Sequence, residues 1–269
     1  MVLHALGVME HAFEAFGDAE AALVRALLER VGAVDAMKPQ HITQILSALA
    51  KLRAHPSLQG HEVALAVRQL DDRACNLLRQ MPSQWNGQDT ATLYHAFASL
   101  QQRPTPALME LLSGRVVEIA QTQFKTQDLT NVTWAVCTGR WHLPDGAAAA
   151  AAAAADDELE LSQALRSHLG AGAAGQGPPT VYCPVKVMRA LEERTGSLMS
   201  SFGMQDFARL LWAVTQLDTY NRVLGRAAEY DGFFKLLCTG LEKLVVGREW
   251  ASLTSGTTAQ QVCVSVCDN

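Results

Sequence analysis

The chain has 269 residues, 49% hydrophobic and 18% charged, with a formal net charge of −5. That supplies core material for one large domain, two ordinary ones or a repeat array. No run of about 18 strongly apolar residues occurs, which excludes a membrane-spanning helix, and the acidic balance argues on its face against a nucleic-acid partner.

From the N-terminus, the first amphipathic stretch is 21–31 (AALVRALLERV). Then come 40–52 (QHITQILSALAKL), 70–81 (LDDRACNLLRQM), 88–100 (QDTATLYHAFASL), 107–120 (ALMELLSGRVVEIA) and 127–139 (QDLTNVTWAVCTG). Beyond 146–180 follow 185–194 (VKVMRALEER), 205–217 (QDFARLLWAVTQL) and 232–246 (GFFKLLCTGLEKLVV). The segments at 40–52, 88–100, 127–139 and 205–217 are copies of one thirteen-residue phrase. Each opens on Gln and holds alanine in its ninth column, at Ala48, Ala96, Ala135 and Ala213. Apolar residues fall in columns 3, 6, 7, 10 and 13, one stripe of a helix with a period of 3.6. Asp89, Asp128 and Asp206 stand in column 2, where a short carboxylate caps free N–H groups and suits the positive end of the helix dipole. Pro56, Pro104 and Pro144 follow the first three copies and end their helices. Strand patterns are nearly absent. The expected fold is all-α: an α-solenoid of helix–turn–helix repeats of about 38–48 residues, since one such unit cannot bury its apolar face alone.

Gln88 to Gln127 is 39 residues, whereas Gln127 to Gln205 is 78. The excess lies in a low-complexity insertion at 146–180. It holds nine alanines at 147–155, an acidic clump at Asp156, Asp157, Glu158 and Glu160, and the run GAGAAGQGPP at 170–179. The alanine tract favours helix but has no consistent apolar face, and the Gly/Pro run is a flexible linker. Removing 146–179 restores a spacing of 44. The expected organisation is helical repeats over 1–145, the insertion over 146–180, and helical repeats over 181–269, with the first and last units truncated. VLHALGVM near the start, with Ala5 in the alanine column, and TAQQVCVSVCDN at the end read as partial copies. The chain is therefore expected to be a section of a longer array. Its opening MVLHALGVMEHAFEAF carries acids but no Lys or Arg, unlike a signal or transit peptide.

QDLTNVTWAV and QDFARLLWAV resemble the PQDLANxLWALAKLG signature of the octotricopeptide repeat (OPR) proteins of green algae and the related FAST-kinase-like, RAP-associated helical repeats. RPTPALMELL at 103–112 is similar to the turn and second-helix opening of that family. The resemblance spans about 200 of the 269 residues and rests on the Gln-Asp opening and on Trp134-Ala135 and Trp212-Ala213. Ser47 and His95 replace the tryptophan in the first two copies, and no RAP domain is visible. The resemblance implies binding of single-stranded organellar RNA, in support of transcript stability, processing or translation. It implies a location in the chloroplast or, as the alternative, the mitochondrion, with other proteins of a ribonucleoprotein complex as further partners.

A solenoid reads a strand through solvent-facing positions that differ between units. Column 5 fits, with Gln44, Thr92, Asn131 and Arg209, and so does column 12, with Lys51, Ser99, Thr138 and Gln216. They lie two turns apart on one face. Amides and hydroxyls hydrogen-bond base edges, and cations hold phosphate; the competing reading is a merely wet side. Column 8, between them, carries Ser47, His95, Trp134 and Trp212. An aromatic there either stacks a base or packs on the neighbouring unit. Windows around the four first helices (38–53, 86–104, 125–142, 203–226) hold nine Lys/Arg against four Asp, so the acidic excess belongs to the remainder.

No phosphate loop, nucleophile elbow, HExxH or Cys-x-x-Cys is present, so no catalytic residue, cofactor or metal ligand is assigned and an enzyme is not expected. His41, His95 and His142 are not grouped with carboxylates, and the sequon at Asn131 lies within an expected helix. The six cysteines (Cys75, Cys137, Cys183, Cys238, Cys263, Cys267) read as small buried hydrophobes. The alternative function is a protein-interaction scaffold of HEAT or armadillo type, which would place apolar or acidic residues in columns 5 and 12.

Overall fold

The computed structural model describes residues 18–31, 37–53, 61–139, 141, 185–223 and 230–247. The insertion at 146–180, the boundaries expected beside it and the partial copies at both ends lie outside the described residues. Among those residues the regular structure is helical throughout, with nine α-helices and no strand. They are α1 (Asp18–Glu29), α2 (Pro39–Leu52), α3 (His61–Gln80), α4 (Gly87–Ser99), α5 (Pro106–Gln123), α6 (Thr126–Thr138), α7 (Val185–Leu198), α8 (Met204–Val223) and α9 (Asp231–Gly247). Each of the nine amphipathic segments from 21–31 to 232–246 lies wholly or almost wholly within one of these helices. None of the described helices is long and apolar enough to cross a membrane.

The chain divides into two compact units between Phe124 and Lys125. In the first, the repeated-phrase helices α2 and α4 lie against each other, α1 lies against α3 and α3 against α5, while the consecutive pairs α2–α3 and α4–α5 close the layers together. In the second, α6 lies against α8 and α7 meets α9, with α6–α7 and α8–α9 as the consecutive pairs. The cores follow the apolar columns. Columns 3 and 10 are buried in all four copies, as Ile42, Thr90, Leu129 and Phe207 and as Leu49, Phe97, Val136 and Val214.

The starts of the first helices share a device. The third helical residue reaches back to the N–H before the helix: Asp128 accepts from Lys125 N at 3.0 Å and Asp206 from Gly203 N at 3.0 Å. In α2 the His41 ring nitrogen takes that place, accepting from Lys38 N at 3.3 Å. Asp89 departs from it, because Asn86 Oδ1 caps α4 from outside by accepting from Asp89 N at 2.8 Å. Each device satisfies one of the donors a helix start leaves open.

Two buried polar contacts fasten the second-layer helices of the first unit. Asp71 of α3, 3% exposed, accepts from the backbone N of Thr105 at 2.8 Å and from its hydroxyl at 2.6 Å. The same hydroxyl accepts from Leu108 N at 3.3 Å, so Thr105 caps α5 while being held by α3. Arg115 of α5 donates through Nε and Nη2 to the carbonyl oxygen of the buried Trp85, at 3.0 and 2.8 Å, and pairs with Glu118 at 2.7 Å. Burial pushes the Asp71 carboxyl above its ordinary value of 3.8, outweighing the two bonds from Thr105. A raised carboxyl contributes stability that is complete below 3.8 and is lost as pH rises through the folded value. Asp71→Asn, which keeps an acceptor for Thr105, is expected to flatten that part of the stability curve, as read by urea denaturation between about pH 3 and 6. Asp71→Ala takes the acceptor from the part-buried N–H and hydroxyl of Thr105 and is expected to cost about 1–3 kcal/mol in the same assay at neutral pH.

Cys75 and Cys137 are buried, and burial raises both thiols above their ordinary value, while Cys238 is half-buried. Cys183, Cys263 and Cys267 lie outside the described residues.

Candidate nucleic-acid interface

Each first helix is enclosed on three sides. Its underside, columns 3, 6, 7 and 10, is buried or half-buried in every copy. Its flanks carry small residues: column 4 is Thr43, Ala91, Thr130 and Ala208, column 9 is alanine throughout, and column 11 is Ala50, Ala98, Cys137 and Thr215. All are buried or half-buried, and small side chains there let α2 approach α4, and α6 approach α8, closely. Apart from His41 in column 2, every exposed residue of the four copies falls in columns 1, 5, 8 and 12, whose other members are half-buried. At 100° per residue they occupy about 60° of the circumference.

In the first unit this stripe carries Gln40, Gln44, Ser47 and Lys51 on α2, and Gln88, Thr92, His95 and Ser99 on α4. Gln40, Lys51 and Gln88 are exposed and the rest half-buried. Arg53, just past α2, donates to the carbonyl oxygen of Ser99, which sets the C-terminal ends of the two stripes side by side. Ser99 Oγ lies 3.4 Å from His95 Nδ1. In the second unit α6 carries Gln127, Asn131, Trp134 and Thr138, and α8 carries Gln205, Arg209, Trp212 and Gln216. Gln127 Nε2 donates to Asn131 Oδ1 at 2.9 Å. The Thr138 hydroxyl donates to the carbonyl of Trp134 at 2.7 Å, which leaves it only as an acceptor for a ligand.

The structure thus sets α2, which carries Gln44 and Lys51, against α4, which carries Thr92 and Ser99, and α6, which carries Asn131, Trp134 and Thr138, against α8, which carries Arg209, Trp212 and Gln216. The two tryptophans differ: Trp134 is half-buried, whereas Trp212 is 42% exposed. Their sequence surroundings, WAVC and WAVT, are nearly identical, so the difference comes from packing.

No Asp or Glu stands on the stripe in any copy, whereas Lys51 and Arg209 do. The column-2 carboxylates lie on the flank, and burial raises those of Asp89 and Asp128 above 3.8. Among the described residues no group of three or more His, Cys, Asp or Glu is placed to hold a metal ion. Sequence reasoning left the column-1 glutamines out of the site; the signal that places them in it is their spacing, one turn before column 5.

Compared with known proteins, the chain matches no family model, no curated protein and no solved structure.

Proposed function

We propose that this chain binds single-stranded RNA along the open stripes of its first helices, as a helical-repeat protein of the octotricopeptide type. The observation that carries the reading is the stripe itself. It is narrow, largely polar, different from copy to copy in columns 5 and 12, free of carboxylates and furnished with Lys51, Arg209 and an exposed indole. Amides and hydroxyls suit base edges, the indole suits a base face, and the cations suit phosphate. Such a protein acts in post-transcriptional control of organellar transcripts, in the chloroplast on the algal resemblance or otherwise in the mitochondrion, without catalysis and with proteins of a ribonucleoprotein complex as neighbours. In this proposal the units stack as an α-solenoid, so that successive stripes meet successive nucleotides.

The reading is tested by crosslinking the full-length protein to RNA in organelle extracts and sequencing what is recovered. Enrichment of particular transcripts supports it. No enriched transcript, together with a stable protein partner, replaces it with the scaffold of HEAT or armadillo type. With two cations on the stripe, the logarithm of affinity is expected to fall with the logarithm of salt concentration at a slope of about −1.4. A slope several times steeper, measured by fluorescence anisotropy, places binding on other lysines and arginines.

A further inference from the structure

We propose that the glutamines opening the four first helices, Gln40, Gln88, Gln127 and Gln205, hold ribose 2′-hydroxyls, and so supply a grip on RNA that ignores base identity. The proposal rests on the RNA reading above and adds a division of labour within the stripe.

All four side chains are exposed, so packing does not account for their identity. The other open columns vary from copy to copy, while this one does not. A ligand matched to that pattern presents one constant group and one variable group at each step. A nucleic-acid strand does so: its sugar and phosphate repeat while its bases change. A repeated phosphate is an acceptor bearing charge; a neutral amide can donate to it, but its charge favours cations. This column is neutral in every copy. A primary amide both donates and accepts, which matches a hydroxyl that does the same. The column also lies one turn before column 5, and the 2.9 Å bond from Gln127 to Asn131 shows the amide reaching that neighbour along the stripe. That bond uses one of the two N–H groups of Gln127 and does not draw on its carbonyl oxygen. An extended peptide also repeats a constant group, its backbone amide. The stripe's cations and lack of carboxylates favour the polyanion.

The test uses the full chain and a variant with Gln40, Gln88, Gln127 and Gln205 all changed to Ala. These positions are exposed, and circular dichroism should show an unchanged melting temperature. Anisotropy is then measured on U, A and C homopolymers, each as RNA and as DNA. One neutral hydrogen bond is worth roughly two- to tenfold in affinity. The variant is therefore expected to bind all three RNAs at least tenfold more weakly, by similar factors, with DNA binding changed less than twofold. Equal losses on RNA and DNA overturn the proposal in favour of a phosphate contact. A loss confined to one base overturns it in favour of base reading. Unchanged RNA binding makes the glutamines bystanders and leaves the RNA reading standing. If the unaltered protein binds none of the RNAs but retains polyglutamate, the RNA reading itself fails.

Discussion

Replacing Trp212 with alanine is expected to weaken binding of single-stranded RNA by roughly 5- to 150-fold and to cost less thermal stability than the same change at Trp134. Base–aromatic stacking is worth roughly 1–3 kcal/mol per base, which sets that range. The stability expectation follows from exposure: at 42% the indole keeps more of its surface in water than the half-buried Trp134, so truncation forfeits less buried area there. Alanine is also the better helix former. Trp134→Ala is the companion experiment. The residue is half-buried, so the loss of its ring is expected to destabilise the second unit by about 2 kcal/mol. Calorimetry and anisotropy on both variants separate the roles. If Trp212→Ala lowers the melting temperature as much as Trp134→Ala and leaves RNA affinity intact, the exposed ring is a packing residue.

The second large effect concerns Gly240 in α9. A Cβ at this position would run into the sulfur of Met199 and lie 2.6 Å from the ring of Phe207. That ring belongs to column 3 of the fourth copy, is 1% exposed and is backed by Phe202 with ring centres 5.4 Å apart, so it has nowhere to retreat. Gly240→Ala is therefore expected to destabilise by about 1–3 kcal/mol, even though alanine gains roughly 1 kcal/mol of helix propensity. Gly114 in α5 is the control, since a Cβ there meets nothing within 4 Å. Gly114→Ala is expected to stabilise by about 1 kcal/mol. Opposite signs for one chemical change, measured by denaturant midpoints, would locate the close approach of α9 to α8.

The helices were legible in the sequence because their apolar spacing is strong and their starts are marked. Their lengths were less so. The spacing predicted a helix from residue 70, whereas α3 begins at His61, because its buried stripe there is carried by Ala66 and Val67, which contribute little hydrophobic contrast. The capping role of column 2 was readable as chemistry, but not that Asn86 takes it over in α4. Columns 5 and 12 could be placed on the open side from periodicity alone. Enclosure by the flanks could not, because alanine, threonine and cysteine look neutral until a neighbouring helix covers them. Nor did any local pattern mark Asp71, Thr105, Trp85 or Arg115, whose contacts join residues 30 or more positions apart. The unequal exposure of Trp134 and Trp212 is the same lesson at the site: tertiary context decides between two copies of one phrase.

The small flanks also separate two kinds of inheritance. A change in column 5 or 12 alters what a stripe offers to a ligand and leaves the small flanks that space neighbouring helices untouched. A larger residue at Ala96 or Ala135 does the reverse: it pushes the adjoining helix aside and changes the distance from one stripe to the next. A chain built this way can change its preferences one side chain at a time by point mutation. Its ruler, the step from helix to helix, stays set by alanine.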